Sequence, residues 1–277
     1  MQEQNGKTVL VTGSTDGVGR LVAVRFASAG AWVLVHERNK ERGTLVAKEI
    51  KAAGGAAEFL EADLSALAEV RRLADAVRGK TDHLDILINN AGIGSAGAAG
   101  ARQTSADGHE LRFAVNYLAG FLLTQSLLPL IKQSAPSRIV NVASAGQQPL
   151  DFADIMLTRG YSGTRAYCQS KLAQILFTID LADELRGSGV TVNALHPATY
   201  MDTTMVRQSG VKPWSTVEEG AGAILNLAVS PGLEGCSGLY FNGLREARAD
   251  AQAYDADARQ RLKAISLELA GPSPDRR

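Results

Sequence analysis

Short apolar runs alternate along the chain with longer stretches whose apolar positions recur at helical spacing. Thr8-Val9-Leu10-Val11, Ala31-Trp32-Val33-Leu34-Val35-His36, Ala57-Glu58-Phe59-Leu60-Glu61, Leu84-Asp85-Ile86-Leu87-Ile88, Arg138-Ile139-Val140-Asn141-Val142 and Val190-Thr191-Val192-Asn193-Ala194-Leu195 read as strands. Gly238-Leu239-Tyr240-Phe241 reads as a seventh. The stretch Leu21-Val22-Ala23-Val24-Arg25-Phe26-Ala27 and the segments 39–53, 65–78, about 105–132 and about 164–186 read as helices. Buried strands separated by helices mean βαβ units. The predicted fold class is α/β, a doubly wound parallel sheet of about seven strands with helices on both faces. No linker, composition shift or internal repeat divides the chain, so residues 1–277 are read as a single domain. Only Gly94-Ser95-Ala96-Gly97-Ala98-Ala99-Gly100 is low in complexity, which suits a flexible loop.

Composition narrows the partners. Acidic and basic residues number 29 each, so there is no basic field to attract nucleic acid or an anionic membrane. No apolar run approaches the ~20 residues that span a bilayer. Met1-Gln2-Glu3-Gln4-Asn5 leads almost directly into the first strand, which predicts no signal peptide. Cys168 and Cys236 make no disulfide framework, and the expected compartment is the cytoplasm. His36, His83, His109 and His196 are scattered, so no metal site is expected.

The candidate chemistry gathers on one rim. Thr12-Gly13-Ser14-Thr15-Asp16-Gly17-Val18-Gly19 follows the first strand and precedes a helix. Gly13 allows a tight turn, Gly17 lets backbone approach a pyrophosphate, and Gly19 lets helix pack closely on strand. The helix N-terminus offers unpaired N–H groups to phosphates. Asp63-Leu64 follows the third strand, Asn89-Asn90-Ala91-Gly92 the fourth, Ser144 the fifth and His196-Pro197-Ala198 the sixth. Ligands in such sheets lie beyond the carboxyl ends of the strands. Tyr167 and Lys171 stand four apart, on one face of a helix. A tyrosine keeps its proton to about pH 10, and a nearby lysine cation brings that value toward the working range. Each motif alone also has an ordinary structural reading; their convergence argues for a site.

With these residues in view, the chain resembles the short-chain dehydrogenase/reductase family over nearly its whole length. Leu111-Arg112-Phe113-Ala114-Val115-Asn116-Tyr117-Leu118, Ala166-Tyr167-Cys168-Gln169-Ser170-Lys171-Leu172-Ala173, the segment 151–161 and the tail around Tyr254-Asp255 resemble its retinol-dehydrogenase-like branch. The resemblance implies a Rossmann-type fold and a catalytic tetrad of Asn116, Ser144, Tyr167 and Lys171. Tyr167 is then the acid or base, and Lys171 lowers its pKa and holds the nicotinamide ribose. Ser144 donates to the substrate oxygen, and Asn116 holds a water that links Lys171 to solvent. Gly13, Thr15, Asp16, Gly17, Val18, Gly19, Asn90, Ala91 and Gly92 are expected to contact the dinucleotide, with Asp63 and Leu64 at the adenine. For Asp63 a plain helix N-cap is the alternative.

The implied cofactor is NAD(H) or NADP(H). Glu37 repels a 2′-phosphate while Arg38 attracts one, and Asp16 adds a second carboxylate, which tilts the reading toward NAD. Where relatives usually have Pro-Gly after the sixth strand, this chain has Pro197-Ala198, which questions the backbone path there. Thr203 is the expected carboxamide contact, with Thr199 or Thr204 as alternatives. Residues 199–214 are expected to form a lid, apolar through Met201, Met205 and Trp214. It suits a small apolar carbonyl or alcohol. Membrane-bound members of the branch carry an N-terminal anchor that this chain lacks, so retinoids are not carried over. The helix-like tail, 245–271, either covers the pocket or reaches a neighbour. Pairing into a homodimer or homotetramer through the helices near 103–132 and 164–186 is expected of such chains, with a monomer as the alternative. The competing functions are a catalytically silent nucleotide sensor and a reductase of C=C bonds conjugated to a carbonyl.

Overall fold

The apolar runs become strands whose ends shift by a residue or two. In the computed structural model, which describes residues 3–95 and 101–271, β1 (Thr8–Val11), α1 (Gly17–Ser28), β2 (Trp32–Glu37), α2 (Lys40–Ala52), β3 (Ala56–Glu61), α3 (Leu67–Arg78) and β4 (Ile86–Asn89) follow in turn. A π-helical turn, Phe113–Leu118, then runs into α4 (Ala119–Gln133). Next come β5 (Ser137–Val142), α5 (Gly163–Glu184), β6 (Val190–His196), α6 (Thr204–Gln208), α7 (Val217–Val229), β7 (Tyr240–Asn242), β8 (Arg245–Ala247) and α8 (Ala256–Ala270). Residues 96–100 of the expected flexible loop lie outside the described residues.

The sheet has eight strands in the order β3-β2-β1-β4-β5-β6-β7-β8, parallel except for the β7–β8 pair. Successive β1 side chains point to opposite faces. Leu10 joins a core with α3, α4, α5 and α8, whereas Val9 and Val11 join one with α1, α2 and α7. The strand order reverses between β1 and β4, and in such sheets the ligand crevice lies beyond the carboxyl ends at that point, here beyond Val11 and its register partner Ile88.

Three expectations are corrected. The eighth strand arises because Asn242-Gly243 is a hairpin signal, with Gly243 at φ +60°, so 245–247 pairs with β7 before the tail turns helical. The helix expected from about 105 begins later. Asp107-Gly108, with Gly108 at φ +81°, makes a tight turn that bridges Thr104 to Glu110. Last, the helical stretch Phe113–Gln133 is 21 residues long and apolar enough to cross a membrane. Its most apolar window is nevertheless 67% buried inside the protein, as a core helix would be.

Candidate active site

The glycine turn needs two of its glycines for space. Gly13 sits at φ +63°, where a Cβ would come within 2.9 Å of the Ala91 Cα; a Cβ on Gly19 would collide with the Gly13 carbonyl. Thr12 Oγ1 accepts from the Asn90 and Ala91 N–H groups, each at 3.0 Å. Asn90 Nδ2 donates to the carbonyls of Thr12 (2.8 Å) and Gly13 (3.0 Å). Asn90 thus braces the turn with both amide protons, while Ala91 and Gly92 line the cleft. Asp16 accepts from the Gly17 N–H at 2.7 Å as the N-cap of α1, ahead of Val18.

A buried histidine fixes this turn from beneath. His36 Nδ1 accepts from the Gly13 N–H at 3.1 Å, and Nε2 lies 3.2 Å from the Ala62 carbonyl. These partners require the neutral ring with its proton on Nε2. Burial lowers its pKa to about 4, outweighing the raising effects of the Ala62 hydrogen bond and of Glu37 and Asp63. Sequence reasoning dismissed His36 as scattered. Its place at the last buried position of a strand that ends on the ligand rim was the available signal.

At the end of β2, Glu37 is not free. Thr15 Oγ1 donates to Glu37 Oε2 at 2.5 Å, Arg42 Nη2 lies 3.0 Å from the same oxygen, and the Arg38 N–H donates to Oε1 at 2.9 Å. Burial raises Glu37's pKa, but these donors prevail and hold it below the usual carboxylate range. The sequence reading set two carboxylates against the single guanidinium of Arg38. Arg42, on the first turn of α2, supplies a second. Asp63 accepts from the Ser65 N–H at 2.9 Å, just before Leu64 leads into α3; it does not cap that helix. The cap comes from afar, with Asp107 accepting from the Leu67 N–H at 2.9 Å.

The tetrad gathers where β4, β5 and α5 meet. Ser144 Oγ accepts from the Gly146 N–H at 3.1 Å, and it stands beside the Tyr167 ring, since a Cβ on Gly146 would lie 3.5 Å from the one and 3.7 Å from the other. Tyr240, from β7, fixes Ser144 by donating to its carbonyl at 3.1 Å. Burial raises the Tyr167 pKa, and the Ser144 hydroxyl opposes the rise. Lys171 is also fully buried, which lowers its pKa to about 7. It donates to the Val142 carbonyl at 2.8 Å and to Gln174 Oε1 at 3.0 Å, with its nitrogen 5.9 Å from the centre of the Tyr167 ring. The expectation that Lys171 lowers the Tyr167 pKa is therefore not met in this arrangement. Asn116 differs too. Its Oδ1 accepts from the Ile93 N–H at 2.7 Å, and its Nδ2 donates to the Ile93 carbonyl (3.1 Å) and Ser170 Oγ (3.0 Å). The side chain ties the β4 loop to α5.

After β6, Ala198 adopts no left-handed backbone; the positive φ falls at Tyr200, +46°. Alanine is thus accommodated after Pro197 without strain. Thr199 Oγ1 pairs with His196 Nε2 at 3.0 Å. Thr203 lies over the glycine turn, where a Cβ on Gly17 would be 3.0 Å from its Cγ2, and it caps α6. The Tyr200 and Trp214 rings pack edge to face at 5.3 Å, and Trp214 is 75% exposed. Met205 reaches Gly94 across the cleft, while Met201 turns away against Gly220 of α7. The tail packs on its own chain. Gln252 hydrogen-bonds the Leu150 backbone, and Tyr117 OH meets Ser266 Oγ at 2.6 Å.

The arrangement fits a nicotinamide dinucleotide. Glycines give it a floor at α1's N-terminus that side chains would fill, and a Cβ on Gly92 would crowd Asn116 and Lys171 beside the phenol. No cluster of metal-ligating side chains occurs among the described residues. The family of short chain dehydrogenases matches residues 7–213. Human retinol dehydrogenase 11 is 39% identical, over 96% of this chain and 86% of its own. Human retinol dehydrogenase 13 is 38% identical, over 96% and 85%. An uncharacterized protein from Mycobacterium paratuberculosis superposes with a TM-score of 0.80 at 28% identity, covering 98% of this chain and 95% of that one. Pseudomonas aeruginosa RhlG in its NADP active-site complex gives 0.71 at 30% identity, covering 87% and 95%.

Proposed function

The chain belongs to the short-chain dehydrogenase family, in its retinol-dehydrogenase-like branch, and from that premise we propose that it is an oxidoreductase acting on a small apolar carbonyl or alcohol with Tyr167 as acid and base. The observation that carries this reading is the convergence of Ser144, Tyr167 and Lys171: Lys171 Nζ lies 5.9 Å from the Tyr167 ring centre, and a Cβ on Gly146 would meet both Ser144 Oγ (3.5 Å) and the Tyr167 ring (3.7 Å). A bound nicotinamide dinucleotide would supply the hydride donor or acceptor. Tyr167 gives its phenolic proton to the carbonyl oxygen in reduction and takes it back in oxidation. Ser144 donates to the same oxygen and stabilises its developing charge. Lys171, with two N–H groups on Val142 and Gln174, keeps a third for the ribose or the phenolate. Asn116 keeps the β4 loop and α5 in register.

The apolar lid supports the substrate class. Met205 faces the β4 loop, and the Tyr200–Trp214 pair stands at the entrance. Retinol, in the names of the relatives, is an apolar alcohol. The preferred cofactor is NAD(H), since an ionised Glu37 repels a 2′-phosphate. Arg42 and Arg38 offset that charge, so the preference is modest and NADP(H) is accepted. The test is titration with NADH and NADPH, followed by turnover at 340 nm on apolar aldehydes and ketones. Tight nucleotide binding with no turnover on any of them would sink the oxidoreductase reading.

A further inference from the structure

Lys171 is a fully buried cation, and the groups around it are few. On α5, Tyr167 faces it with its ring centre 5.9 Å away, and Gln174 accepts from it. From β5 comes only the Val142 carbonyl. From the β4 loop comes Gly92, where a Cβ would lie 3.5 Å from Lys171 Nζ and 3.2 Å from Asn116 Oδ1. From β6 comes His196, whose pKa is lowered by burial and then by Lys171's charge. Among the described residues, Tyr167 and His196 are thus the titratable groups facing Lys171, and neither is an anion at neutral pH. A buried ammonium with no carboxylate depends on neutral acceptors for its charge. The Val142 carbonyl belongs to the sheet and tolerates no substitution. Gln174 is the side chain that can vary.

We propose that Gln174 is a positioning residue for the Tyr167–Lys171 pair, its amide oxygen being the side-chain acceptor that holds Lys171 as an ammonium on the cleft floor. The geometry is built for it. Gln174 lies three residues beyond Lys171 on the same helix face, buried at 4% exposure, with its amide oxygen 3.0 Å from Lys171 Nζ. The inference rests on the acid–base reading above and deepens it, for the charge that steadies a phenolate is then set partly by a neutral amide.

The test uses two variants of opposite sign. In Gln174→Leu the ammonium loses its side-chain acceptor, so Lys171 should deprotonate at lower pH. In Gln174→Glu it gains a carboxylate, so it should deprotonate at higher pH. The direct readout is the ¹³C titration of the Lys171 ε-carbon, assigned through its loss in Lys171→Met. Expected are midpoints about one pH unit below and one above that of the unaltered protein. The alkaline limb of the kcat profile should move in the same two directions, with KM for the nucleotide little changed. A merely structural role would lower stability in both variants without moving the midpoints apart. Folded variants with identical midpoints would overturn the proposal even if turnover persists. Divergent midpoints in a protein that turns over nothing would sustain the proposal and sink the oxidoreductase reading instead.

Discussion

The floor of the cleft and its lid are built on different physics. On the floor, Asn116, Ser170, Lys171, Gln174 and Asn141 are all buried, and their polar atoms pair across β4, β5, α5 and the π-helical turn. The lid's short helix, α6, buries no residue. Its ion pair, Asp202–Arg207, stands in solvent, and Trp214 is the most exposed of the large apolar side chains. Buried polar groups leave one arrangement open, because each partner lost costs a full desolvation. Exposed ones leave many. On the proposed function, the chemistry is assigned to rigid strand ends and substrate selection to a segment with few buried contacts.

Breaking the floor should cost most. Tyr167→Phe removes only the hydroxyl, and kcat/KM should fall about 10³-fold or more, with the melting temperature within a few degrees of the parent. A loss below tenfold would end Tyr167's assignment as acid and base. Beneath the turn, His36 makes the floor pH-sensitive. Its pKa is about 4 folded against an ordinary 6.5, so the unfolded chain takes up a proton first as pH falls. The stability His36 contributes is complete above pH 6.5 and lost as pH falls toward 4, by about 3 kcal/mol. Calorimetry across that window should show a steep decline that flattens in His36→Gln, and nucleotide affinity should fade with it. Equal slopes in the two proteins would mean that His36 does not carry the effect.

Substitutions nearer the surface sharpen the contrast. Arg42→Ala frees Glu37 from its cation, so the ratio of NADPH to NADH dissociation constants should rise about tenfold, and Glu37→Gln should lower it. An unchanged ratio in both would place nucleotide selection elsewhere. Smallest of all, Trp214→Ala on the lid should raise KM for apolar substrates a few-fold, of the order expected when part of a ring's burial is lost, and leave kcat and the melting temperature alone. A collapse of kcat would show that the lid belongs to the floor's network after all.

Much of this was legible in the residues. Short apolar runs marked the strands and a period of 3.6 the helices, because strands buried on both faces and helices buried on one leave those imprints. The glycine turn and the Tyr167–Lys171 spacing were visible because both are local: one backbone turn, one helix face. Legibility failed where partners come from afar. His36 meets Gly13 from 23 residues away, Gln252 meets Leu150 from 102, and Tyr240 meets Ser144 from 96. No window of sequence contains such pairs.

The sequence by itself determined the α/β alternation, the ligand rim and the Tyr167–Lys171 face, since short-range sterics and periodicity set these, while the resemblance to the family supplied Asn116 and Ser144. Only the tertiary structure decided what those residues do to one another. It turned Lys171 toward Val142 and Gln174, gave Glu37 a second arginine, and tied Asn116 to Ile93 and Ser170. Hydrogen bonds and charge in a buried cleft depend on distances of a few ångströms, and folding sets those distances between segments that the chain keeps far apart.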